Sequence, residues 1–136
     1  MTIDHIGIAV KDLDLSAALF TALTGQEPIK REVVEAQGVE VIFIPSGPTK
    51  LELLQNIGAD GPIKKFIEKR GEGVHHVAFR VTDIYAAMAE MQAKGFELID
   101  HTPRRGADHK LICFLHPRST GGVLIELCQP YHDPLP

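Results

Sequence analysis

Between Ile3 and Val10 the chain alternates, with Ile6, Ile8 and Val10 on one parity and His5, Gly7 and Ala9 on the other. A period of two among β-branched residues predicts a strand. From Asp12 the period lengthens. Leu15, Ala18, Leu19, Ala22 and Leu23 recur at helical spacing. They predict a helix capped by Asp12, buried along those five residues, running to about Thr24 and closed by Gly25. Strand patterns return at 29–36, at Val39 to Ile44 and, past the turn Ser46-Gly47-Pro48-Thr49, at Lys50 to Gln55. Pro62 suits the first turn of a short helix to about Lys69. The order then recurs. Val74 to Val81 predicts a strand, Asp83 to Lys94 a helix closed by Gly95, and Glu97 to Thr102, Leu111 to Leu115 and Val123 to Cys128 three further strands. The polar stretch 103–109 reads as a loop able to contact a ligand, and the tail 130–136, with its prolines, as irregular.

The recurrence extends to residue identity. Asp4-His5-Ile6-Gly7-Ile8-Ala9-Val10 is echoed by His75-His76-Val77-Ala78-Phe79-Arg80-Val81, with His5 on His76, Val10 on Val81 and Asp12 on Asp83. Leu51-Glu52-Leu53-Leu54-Gln55 is echoed by Ile125-Glu126-Leu127-Cys128-Gln129. Each half therefore carries one histidine near its start and one glutamate near its end. The pattern predicts an α+β fold in a single domain, 1–136. Its two βαβββ modules, about 1–61 and 72–129, would pair into a curved mixed sheet around a metal site.

Alternation also assigns faces. Val77, Phe79 and Val81 belong to a helix-facing side, and His76, Ala78 and Arg80 to the other. Ile125 and Leu127 face helices while Glu126 joins Leu124 and Cys128; Glu52 stands likewise between Leu51 and Leu53. Two imidazoles and one or two carboxylates on one face suit Zn²⁺, Co²⁺, Ni²⁺, Mn²⁺ or Fe²⁺. A single such histidine reads as an ordinary core residue, and Glu52 alone as an exposed edge residue; the duplication favours ligation. His75, on the opposite parity, is the alternative to His76. Arg104, Arg105, Lys110 and Arg118 form either a solvated basic face or one that receives phosphates.

Composition narrows the classes. Apolar residues make up 44% of the chain and charged residues 24%, ordinary for a globular domain. A net charge of −4 with no tryptophan speaks against a nucleic-acid partner. No apolar run reaches membrane-spanning length, so no membrane partner is expected. No basic stretch or cleavage site precedes the first strand, and Cys113 and Cys128 sit in apolar strands as reduced, buried thiols. A cytoplasmic location is the expectation.

The segments Asp4 to Val10, Thr49 to Leu54, Gly73 to Phe79 and, more specifically, Phe114 to Leu127 resemble the methylmalonyl-CoA epimerase family of the vicinal-oxygen-chelate (glyoxalase/bleomycin-resistance) superfamily. The resemblance covers about residues 2–129. It implies a homodimer and one divalent ion per chain, Co²⁺ or Zn²⁺ before Ni²⁺ or Mn²⁺. It implies His5, His76 and Glu126 as ligands with Glu52 as a fourth, and an acyl-CoA substrate epimerised at C2 through proton abstraction and enolate stabilisation. Glu126 and Glu40 are then the catalytic carboxylates, Glu40 only through a one-residue gap. Lys110, Arg118 and Ser119 are the expected substrate contacts. Gly106-Ala107-Asp108-His109-Lys110 departs from the family's usual Gly-Ala-His-Gly-Lys, which bears on substrate identity. The alternatives are another superfamily enzyme, a glyoxalase I-type lyase or a ring-cleaving dioxygenase, and a metal-free binding protein for a drug.

Overall fold

The computed structural model describes residues 1–131. The chain divides into two compact units, His5–His75 and a second comprising Met1–Asp4 with the stretch from His76 onward. The fold is α+β, with parallel and antiparallel pairings in each unit.

In the first unit, β1 (Thr2–Ala9) leads into α1 (Leu13–Thr24), followed by β2 (Lys30–Val34), β3 (Val39–Ser46), β4 (Thr49–Asn56) and α2 (Pro62–Arg70). The strand order is β2-β3-β4-β1, with β1 parallel to β4 and the other neighbours antiparallel. Asp12 caps α1 by accepting from Leu15 N, and Gly25 ends it at φ 71°, a conformation that only glycine adopts without strain. The face that α1 buries is not the expected one. Leu13 and Ala17 are buried and Phe20 packs beside them against Val10, Ile42, Ile44 and Leu53, whereas Leu15, Leu19 and Leu23 are exposed. Two stripes of similar apolarity ran along this helix. The one beginning at Leu13, directly after the cap, is turned inward because the cap and the hydrogen bond from Leu13 N to Gln55 Oε1 fix the helix's rotation.

In the second unit, β5 (Gly73–Arg80) leads into α3 (Ile84–Ala93), then β6 (Arg104–Gly106), β7 (Lys110–Leu115) and β8 (Ile125–Pro130). The order is β5-β8-β7-β6, with β5 parallel to β8. Ile84, Ala87, Met88 and Met91 of α3 pack on Val81, Cys113, Leu115 and Leu127. The strand expected at Glu97 to Thr102 is reduced to one bridge, Leu98 with Leu115. Asp100 disrupts it by accepting from Phe114 N with its side chain at 2.8 Å, where a ladder carbonyl would otherwise sit. The edge strand forms instead at Arg104–Gly106, inside the segment expected to be a loop. Its turn to β7 holds Asp108 and His109 at φ 58° and 50°. Of the tail expected to be irregular, Pro130 closes β8, and residues 132–136 lie outside the described residues.

Candidate metal centre

Each unit holds a buried histidine–glutamate pair built in the same way. In the first, the parallel register of β1 on β4 sets Gly7 opposite Glu52, and His5 shares Gly7's parity. His5 Nε2 lies 3.6 Å from Glu52 Oε1, and both residues are about 5% exposed. Phe43, opposite Glu52 on β3, meets the His5 ring edge-on, with centroids 6.3 Å apart and planes at 85°.

In the second unit, Ala78 stands where Gly7 does, opposite Glu126. His76 Nε2 is again 3.6 Å from Glu126 Oε1, and both residues are buried. Phe114, opposite Glu126 on β7, meets His76 edge-on at 5.7 Å and 88°. The face assignments read from alternation hold at all four positions.

A separation of 3.6 Å is longer than a hydrogen bond. It is close to the ~3 Å between two ligand atoms that each stand about 2.1 Å from one ion. Imidazole nitrogen and carboxylate oxygen are the donor set of the borderline divalent metals. Buried carboxylates carry a desolvation cost that a bound cation offsets. Each half-site therefore fits a divalent cation.

Residues 4–114 match the model of the Glyoxalase/Bleomycin resistance protein/Dioxygenase superfamily. The chain belongs to that superfamily. Among its relatives is the uncharacterized protein YqjC of Bacillus subtilis, 40% identical over 96% of this chain and 94% of that one. Human mitochondrial methylmalonyl-CoA epimerase is 37% identical, over 93% of this chain and 73% of that one. Among solved structures, a variant of Streptomyces coelicolor methylmalonyl-CoA epimerase in complex with 2-nitronate-propionyl-CoA superposes with a TM-score of 0.90, at 38% identity over 97% of this chain and 99% of that one. The fold is thus the glyoxalase fold of the superfamily, and epimerases are among its full-length relatives.

Other residues expected at a superfamily active site stand elsewhere. Glu40 is on β3 opposite Gln55, on the face that carries Ile42 and Ile44 toward α1, away from Glu52. Its carboxylate accepts from Arg31 Nε at 2.8 Å, and Arg31 also binds Asp14 of α1 at 2.6 Å. The β3–β4 register runs unbroken from Val39 to Ser46, so no bulge turns Glu40 to the other face. Glu40, expected as a catalytic carboxylate, thus stands in a surface ion pair on the face opposite that of Glu52.

Arg118 pairs with Glu97, whose carboxyl it holds below the usual range. Ser119 accepts from Glu97 N and donates to His116 O. Both brace the 116–120 turn, and the Arg118 side chain is largely exposed. Lys110 is buried, its Nζ 3.6 Å from Asp4 Oδ1. The repeat assigns no role to Asp4; its signal in the sequence is a charge inside an apolar alternation. Cys113 and Cys128 are free and buried, and burial pushes the Cys113 thiol up to about 11 and raises that of Cys128 further. Among the described residues no helix is long and apolar enough to cross a membrane.

Proposed function

We propose that His5, Glu52, His76 and Glu126 together hold one divalent cation, and that the chain epimerises the C2 centre of a 2-carboxyacyl thioester, methylmalonyl-CoA being the candidate substrate. The observation that carries this reading is the duplicated buried pair, with the same 3.6 Å spacing and the same edge-on phenylalanine in each half. Similarity to methylmalonyl-CoA epimerases over nearly the whole chain supports it.

The chemistry follows from the substrate. The C2 proton lies between a thioester and a carboxylate, and its removal leaves an enolate. A bound cation would supply Lewis-acid stabilisation of that charge. Glu126 is the carboxylate assigned to move the proton, since it is buried beside His76 with Phe114 and Ala78 opposite it on the neighbouring strands. His5 and His76, each clamped edge-on by a phenylalanine, keep a fixed ring orientation. Phe43, Phe114, Ala78 and Ile112 are apolar or small and exclude water from the pairs. Glu52, the buried carboxylate paired with His5, is assigned as a ligand and is the candidate group for the second face of the enolate.

The reading includes one ion per chain, Co²⁺ or Zn²⁺, a homodimer and a cytoplasmic setting. The deciding experiment follows C2 proton–deuterium exchange in methylmalonyl-CoA by protein of known metal content, beside methylglyoxal–thiol adducts and catechols. Exchange only with the thioester supports the assignment. Turnover of the other substrates without it would replace this enzyme by a lyase or dioxygenase, and binding without metal by a sequestering protein. Sedimentation at micromolar concentration checks the dimer.

A further inference from the structure

The sheet face that bears His76 and Glu126 is charge-polarised within its own unit. One cross-strand row is Ala78, Glu126, Phe114. The next row is Arg80, Cys128, Ile112, Arg104, on β5, β8, β7 and β6 in turn. Directly opposed residues share a face, so both arginines project to the same side as Glu126, about 7 Å along the strands from its row. Between them the floor is buried and uncharged, made of Cys128 and Ile112.

The arginines stand at the two ends of that floor, three strand spacings or ~14 Å apart at their backbones. An arginine reaches roughly 6 to 7 Å from its backbone along an apolar stem, so two of them span such a gap from either side. Both are about half-exposed, at 51% and 44% for Arg80 and Arg104. Arg80 Nε is 3.8 Å from Asp4 Oδ1, the oxygen that Lys110 Nζ approaches at 3.6 Å. Arg104 Nε donates to Asp100 Oδ1 at 3.0 Å, and its guanidinium lies over the Phe114 ring, 5.6 Å from the centroid. Phe114 in turn touches His76. Three cations thus meet two carboxylates, which leaves positive charge beside the histidine–glutamate pair. Each guanidinium keeps further N–H donors beyond the one in its ion pair, in a fork that matches an oxyanion.

We propose that Arg80 and Arg104 form an oxyanion clamp that grips a negatively charged group of whatever ligand sits at the His76–Glu126 pair, and so selects anionic over neutral ligands. As a statement about substrate selection this rests on the thioester reading above. The oxyanion can come from the acyl carboxylate or from a phosphate of the coenzyme, and the two sources are separable.

The test titrates malonate, which has carboxylates and no phosphate, and coenzyme A, which has phosphates and no acyl carboxylate, into full-length protein by calorimetry. Arg80→Gln and Arg104→Gln are compared with wild type at matched metal content, and Arg80→Lys retains a point charge without the fork. Arg70→Gln, a charge-matched change in the other unit, is the control and should bind like wild type. Each clamp variant should weaken one probe by ~10- to 100-fold, with Arg80→Lys between. Weakened malonate assigns the acyl carboxylate, and weakened coenzyme A a phosphate. The clamp is overturned if folded variants bind both probes as wild type does, if Arg70→Gln weakens binding equally, or if wild type binds neither probe at millimolar concentration. Arginine-dependent binding in a protein that never exchanges the C2 proton would retire the epimerase reading and leave the clamp standing.

Discussion

Gln129 reaches from the end of β8 to the start of α3, where its Oε1 accepts from Ile84 N at 2.7 Å. Gln55 does the same for Leu13 N, also at 2.7 Å. Each glutamine lies three residues beyond a metal-candidate glutamate, so the helix start and the glutamate strand are tied in register. Removing either side chain leaves a helix-start N–H without its acceptor. Gln55→Ala and Gln129→Ala should each lower stability by about 1 kcal/mol, read as a shift in urea midpoint with unchanged slope.

Metal content should follow the histidines. His5→Ala and His76→Ala should each lose the bound ion on elemental analysis, and a chelator should lower the thermal midpoint of wild type while leaving that of the double variant unmoved. Stoichiometric metal in the double variant would remove His5 and His76 from the site.

The two candidate carboxylates on β8 and β3 should separate cleanly. Glu126→Gln, if it retains metal, should slow C2 exchange by ~100- to 10,000-fold. Glu40→Gln should leave exchange within about twofold of wild type and cost no more than about 1 kcal/mol, because its partner is Arg31 at the surface. A large kinetic loss in Glu40→Gln would contradict the register of β3 on β4.

Alkaline pH should destabilise the fold through Cys113. Its thiol donates to Asp100 O at 3.4 Å, and burial raises its titration from 9.0 to about 11. Between those values the unfolded chain has released a proton that the folded chain retains, so stability is full below pH 9 and falls as pH rises toward 11. Cys113→Val should make that fall shallower without abolishing it, because burial raises the Cys128 thiol as well, measured as the difference in unfolding free energy between pH 8 and pH 10.5. It should also abolish any alkylation seen at alkaline pH that is attributable to this position.

Face assignments were legible in the chain because a strand's parity is a local property. His5, Glu52, His76 and Glu126 needed only the alternation around them. The rotation of α1 was not legible: Leu13–Ala17–Phe20 and Leu15–Leu19–Leu23 both recur at helical spacing, and a distant residue, Gln55, fixes the choice. Glu97 to Thr102 had strand propensity, yet the Asp100 side chain takes the hydrogen bond that would have extended the ladder. Glu40 was assigned through a gap in a resemblance, and only the continuous pairing of β3 with β4 reveals its face. Asp4 becomes meaningful once Arg80 and Lys110, remote in sequence, are seen on either side of its carboxylate.

The parallel pairing of β1 with β4, and of β5 with β8, bears on when the site comes into being. In both units the histidine and its glutamate are roughly fifty residues apart and meet only after a helix and two intervening strands have been laid down. Loops of that length close late in folding. Neither half-site exists on the nascent or collapsed chain, unlike ligand sets clustered within a single turn or hairpin. A cation that these pairs hold is therefore acquired by the finished fold. Metal availability would then govern how much of the protein is active, and would stabilise the finished fold by mass action without being needed to reach it.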